Sequence, residues 1–137
     1  MGMELHARNK AAGQFHWGAF GWSWMLGEGV GLPVGHFHGL SPGEFIYLDR
    51  PDGRCLGYND GAKVSAKEAK DMAKVSRWVV AKQRAMRQQL ERRSQQERDD
   101  MAEDKYRLYT LPVRADWVDQ LEKFADWAEK SGGFRVY

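Results

Sequence analysis

Covalent cross-links are excluded at the outset: the chain has one cysteine, Cys55, so no intrachain disulfide can form. A lone thiol fits a reducing compartment. Long hydrophobic runs are also lacking. The most apolar stretch, Phe15 to Leu26, is followed at once by Gly27 and Glu28. As a helix it would reach about 18 Å, against a hydrocarbon core of about 30 Å. No membrane span is expected, the basic-then-apolar order of a secretory signal is missing, and the expected location is cytoplasmic. Charge of one sign is scarce as well. The 21 Lys/Arg stand against 19 Asp/Glu, a formal +2, which excludes a uniform polycation. Finally, the chain has 15 glycines but none between Ala62 and Ser131.

That last absence divides the sequence. Residues 1–61 are rich in glycine and aromatics and hold all four histidines, His6, His16, His36 and His38. Residues 62–137 are free to be helical. At 137 residues the chain is expected to form a single domain, 1–137, burying roughly 68% of the surface its unfolded form exposes. The halves also differ in charge. The first carries four Lys/Arg against six Asp/Glu, the second seventeen against thirteen. Residues 74–93 concentrate this excess, and acidic residues dominate from Glu97 to Asp104. There is no internal repeat.

Local patterns predict the elements. Trp17, Phe20 and Trp24 fall on one face of a short helix over Trp17–Leu26, which Gly27, Gly29, Gly31 and Pro33 end. Glu44–Leu48 and Arg54–Tyr58 flank Asp49–Gly53 as a β-hairpin around a Pro-Asp-Gly turn. Ser65 and Glu68 form a capping box. From it a helix of about 66–93 presents Ala69, Met72, Ser76, Val79, Val80, Gln83, Met86 and Leu90 on one arc. Continued to Arg98 it would be about 50 Å long, against a body of roughly 37 Å. It is therefore expected either to break near Ser94 or to project as an arm that pairs with a second copy. Tyr106–Leu111 reads as a strand, and about 115–130 as a second amphipathic helix with Trp117, Leu121 and Phe124 in the core. Gly132 suits a left-handed cap, and Phe134–Tyr137 an edge strand. The expected fold class is α+β: two main amphipathic helices plus a short aromatic-rich helix packed on a small antiparallel β-sheet.

Two sets of side chains stand out as candidate sites. His36 and His38, one residue apart, would share a face of an extended segment, as in many sheet-borne metal sites. His16, Glu44, Asp49 or Cys55 are available to complete the ligand set. The second set is the basic arc of the long helix: Lys74, Arg77, Trp78, Lys82 and Arg84. An aromatic among cations stacks on a base or nucleotide, or else docks on the body while the lysine stems frame it. Gly27–Gly31 lacks the strand before it and the helix after it that phosphate-cradling loops require. No nucleophile elbow is present, and no motif implies a cofactor.

Three blocks resemble a loose family of small bacterial and phage-type proteins without an established activity. They are Trp17–Leu26 with Leu32-Pro-Val-Gly35, Gly57–Ala73 (GYNDGAKVSAKEAKDMA), and Phe124–Tyr137 ending in SGGFRVY. The resemblance implies one compact domain and carries over no catalytic residue. His36-Phe-His38 and the charged extension after Ala81 depart from the pattern.

These observations point to a non-enzymatic binding or regulatory protein of the phage or mobile-element accessory kind, with a protein partner or a second copy of itself. The alternatives are a small metal-dependent enzyme using His36 and His38, and a nucleic-acid or nucleotide binder working through the basic helix 67–93.

Overall fold

The computed structural model describes residues 2–26, 47, 49–92 and 114–137. Its fold is α+β. Strand β1 (Gly2–Ala7) turns through a short 3-10 segment (Lys10–Ala12) into β2 (Gln14–Gly18), and helix α1 (Ala19–Trp24) follows. Strand β3 (Ala62–Val64) leads directly into α2 (Ala66–Glu91). Helix α3 (Ala115–Ser131) leads into β4 (Phe134–Val136). The sheet is antiparallel throughout, in the order β2-β1-β4-β3.

This order knits the two compositional halves together, because β1 from the first pairs with β4 from the second. It also corrects the expectation for the C-terminal segment. Phe134–Val136 is an inner strand hydrogen-bonded on both sides, not an edge. The ladder extends one residue further, where Tyr137 and Glu4 exchange backbone hydrogen bonds of 2.8 Å in both directions.

Side-chain alternation gives the sheet two chemically distinct faces. Leu5, Trp17, Ala62, Val64, Phe134 and Val136 point inward and are buried. Gln14, His6, Arg135 and Lys63 form a cross-strand row on the opposite face, and all four are exposed. Both long helices lie on the inner face. Their buried stripes, Ala69, Met72, Val75, Ser76 and Val79 on α2 and Val118, Leu121, Phe124, Ala125 and Ala128 on α3, meet the apolar side of the sheet. At the centre Phe124 touches Phe15, Trp17, Trp22, Trp127 and Phe134, with ring centroids 5.8–6.2 Å away. Indole polarity is met where the backbone is near: Trp22 Nε1 donates to the Leu56 carbonyl at 2.8 Å, and Trp127 Nε1 to that of Ala12 at 3.1 Å.

Several expectations are corrected here. Trp17 belongs to β2, not to the aromatic helix, because pairing with Met3 holds it extended. Trp117 is only half-buried, stacked on Trp24 at 5.8 Å, whereas Leu121 and Phe124 are fully enclosed. On α2 the buried stripe fades after Val80, leaving Gln83, Met86 and Leu90 half-buried. The Asp49–Gly53 turn forms, with Gly53 N–H donating to the Arg50 carbonyl at 3.0 Å and Asp49 bridging to Cys55. Arg54–Tyr58 is not a strand beyond that bridge: the chain turns again, and Tyr58 N–H donates to the Cys55 carbonyl at 3.1 Å. The strand expected at 106–111, the first hairpin strand except Tyr47, and residues 94–104 lie outside the described residues.

The capping box forms as the sequence predicts. Ser65 Oγ accepts the Glu68 amide at 3.1 Å, and Glu68 Oε1 accepts the Ser65 amide at 3.0 Å. Arg50 clamps the same carboxylate through Nη2, at 2.5 and 2.7 Å. Burial alone would push the Glu68 carboxyl up, but the Arg50 guanidinium and the Ser65 groups outweigh it and hold it below the usual carboxylate range. Ser65→Ala should lower stability by about 1 kcal/mol through loss of the cap acceptor. Urea denaturation followed by tryptophan fluorescence measures this, and an unchanged midpoint would show that the cap contributes nothing.

Candidate functional site

The basic arc of α2 is less available than its sequence implies. Arg77 donates to Glu129 at 2.7 Å and to Asp126 at 3.2 Å. Arg84, two turns further on, donates to Glu122 at 2.6 Å and to Asp119 at 3.2 Å. The partners run backwards along α3, as antiparallel helices require, and these hydrogen bonds push both guanidinium pKa values further up from their ordinary range. Two of the five proposed ligand-binding residues therefore join helix to helix. Trp78 keeps 49% of its surface exposed, with Lys82 Nζ 5.2 Å from its ring centroid, and Lys74 is exposed beside it.

The metal candidates fare differently. His36, His38 and Glu44 lie outside the described residues. Of the side chains named to complete their set, His16 is held by Glu4 at 2.6 Å, and Cys55 Sγ accepts the Gly57 amide at 3.4 Å. Among the described residues no three His, Cys, Asp or Glu side chains are placed to hold a metal ion. Among them also, no helix is long and apolar enough to cross a membrane.

A site that the sequence did not suggest lies on the outer face of the sheet. A cavity of about 810 Å³ opens where β1 ends, β4 begins and β3 passes into α2. Its floor is the Gly132–Gly133 turn. Gly132 takes the left-handed cap expected of it, with φ +69°, and Gly133 follows at φ +97°. Ser131 sets this turn, its hydroxyl donating to the Ala128 carbonyl at 2.7 Å and accepting the Gly133 amide at 3.2 Å. A side chain at Gly133 would strike the Val64 carbonyl oxygen at 2.7 Å and the Ala66 nitrogen at 3.0 Å. The absence of that side chain lets β4 lie against the N-terminus of α2.

The walls are cationic. Arg8 stands at the upper rim, its backbone amide donating to the Gly133 carbonyl at 2.8 Å. Lys63 on β3 and His6 on β1 flank Arg135 of β4 in register. No Asp or Glu among the described residues lines the cavity. No described carboxylate pairs with Arg8, Lys63 or Arg135, although Arg50 and Arg114 are each held by one and Arg77 and Arg84 by two. The first turn of α2, through Ser65 and Ala66, adds the positive end of a 26-residue helix. Three cations without a described carboxylate partner around one hollow favour a negatively charged occupant.

Sequence reasoning missed this site because its residues, from His6 to Tyr137, come from opposite ends of the chain. The one usable signal was the alternation in Phe134–Tyr137, which sets Arg135 and Tyr137 on the face opposite the core. Compared with known proteins, the chain matches no family model, no curated protein and no solved structure.

Proposed function

We propose that this is a binding protein for a phosphate-bearing ligand, held in the outer-face cavity by Arg8, Lys63 and Arg135. The observation that carries the reading is their shared lack of a described carboxylate partner around a cavity whose described lining has no Asp or Glu. In this proposal the ligand lies on the sheet and not on the α2 arc, where Arg77 and Arg84 are already paired with carboxylates of α3. Each cation would supply a charge-assisted hydrogen bond, the strong kind, to a phosphate oxygen.

Calorimetric titration with inorganic pyrophosphate tests this. The parent protein should bind, more weakly as salt rises. An Arg8→Ala/Lys63→Ala double variant should bind at least about tenfold more weakly, since one hydrogen bond to a charged group is worth that much or more. Its folding should be unaltered, because neither side chain is tied to the fold by an ion pair among the described residues. A Lys74→Ala/Lys82→Ala variant on α2 should match the parent. Equal binding by the Arg8/Lys63 variant, or a loss confined to the α2 variant, would remove the site from the sheet.

A further inference from the structure

The cavity continues along β4 as a trough, and its two ends differ in chemistry. Gly133, Arg135 and Tyr137 follow one another on the outer face, so the trough runs about 13 Å at roughly 3.3 Å per residue. At the Gly133 end stand Arg8 and the first turn of α2. Lys63 and Arg135 occupy the middle, side by side across neighbouring strands. At the far end lies an aromatic ring. Tyr137 remains 46% exposed, with the His6 ring edge-on at 4.7 Å between centroids.

Cations also crowd this aromatic end. Arg54 Nη1 and Arg135 Nη1 both donate to the Gly61 carbonyl, at 3.3 and 3.2 Å. Gly61 has φ +83°, and a side chain there would meet Tyr137 Cε1 at 3.2 Å and Arg54 Nη1 at 3.5 Å. The bare glycine therefore brings two guanidinium groups and the tyrosine ring to one place. Asp52 is the nearest described compensation, 4.0 Å from Arg54 Nε and half-exposed.

Size decides between a bare anion and something larger. About 810 Å³ lies within the range of sites that enclose whole organic ligands, roughly 300–1,000 Å³, and far exceeds what a phosphate fills. We infer that the trough takes a nucleotide unit: phosphate groups from the start of α2 past Arg8 and Lys63 towards Arg135, and the base stacked on Tyr137 beside His6. The assignment rests on the phosphate reading above and adds the base. The same unit occurs in a free nucleotide and in a single strand of nucleic acid, and the two sources are separable by experiment.

Four probes make the comparison by calorimetry: inorganic tripolyphosphate, adenosine triphosphate, an eight-residue oligothymidylate, and the same oligomer with abasic sites. The base-bearing ligand should bind about 5- to 150-fold more tightly than its baseless counterpart, the usual gain from one base stacked on an aromatic ring. Tyr137→Leu should abolish the gain and Tyr137→Phe should keep it. A gain for adenosine triphosphate over tripolyphosphate assigns a free nucleotide. A gain seen only in the oligomer pair assigns a nucleic-acid strand. If baseless and base-bearing probes bind alike, or the gain survives Tyr137→Leu, the nucleotide assignment is overturned while the phosphate site stands. If no probe binds, both readings fall.

Discussion

Phe124→Ala should cost about 3–5 kcal/mol, the range for truncating a fully buried phenylalanine. The ring is 0% exposed and meets five other aromatic side chains, drawn from β2, α1, β4 and α3 itself. Those neighbours belong to elements far apart in sequence and have little freedom to collapse into the space, so the cavity term adds to the lost transfer energy. Chemical denaturation measures the loss. A cost below about 1 kcal/mol would mean that the aromatic cluster is not the keystone of packing between helix and sheet. Since Trp17 and Trp22 border the same ring, the native fluorescence should change along with the midpoint.

Gly133→Ala should cost about 2–4 kcal/mol, combining left-handed backbone strain with overpacking. At φ +97° an L side chain is disfavoured, and the added methyl would lie 2.7–3.1 Å from atoms of Val64, Ser65 and Ala66. All three are backbone atoms, which cannot rotate away as a side chain can. The adjacent Gly132 serves as the control. It also has positive φ, +69°, but an added Cβ there meets nothing nearer than Asn9 Cβ at 3.7 Å. Gly132→Ala should therefore show strain alone and cost clearly less. Equal costs for the two variants would disprove the close approach of β4 to the start of α2. Because that approach forms the cavity floor, Gly133→Ala should also weaken pyrophosphate binding in the protein that remains folded. Unaltered affinity would place the ligand elsewhere.

The two faces differ in how much of their positive charge is already paired with carboxylates. Read as a wheel, α2 presents a basic arc with Trp78 in its middle. Read with α3 beside it, that arc faces Asp119, Glu122, Asp126 and Glu129, and Arg77 and Arg84 are neutralised there. The acidic stripe was visible in the sequence, but its alignment with the arginines depends on how the two helices are set against each other. Among the described residues Arg8, Lys63 and Arg135 form no such pairs, and they are scattered along the chain. Their importance comes from convergence.

What the sequence by itself determined is whatever depends on neighbours along the chain. The Ser65–Glu68 cap, the extents of α2 and α3, the Gly132 cap and the Asp49–Gly53 turn all close through hydrogen bonds between residues a few positions apart, and each forms where the pattern places it. Within the glycine-free stretch 62–131, residues Ala66–Glu91 and Ala115–Ser131 form the helical layer for the same reason. Tertiary structure alone decided the rest. Trp17 reads as helical by spacing but is extended because Met3 pairs with it. Phe134–Val136 reads as a lone terminal strand but becomes an inner one because β1 and β3 close on both its sides. Likewise Arg8, Lys63 and Arg135 have no pattern in common along the chain. They share a wall of one cavity only after the first and last strands pair, since a sheet ladder joins residues by register and not by sequence distance.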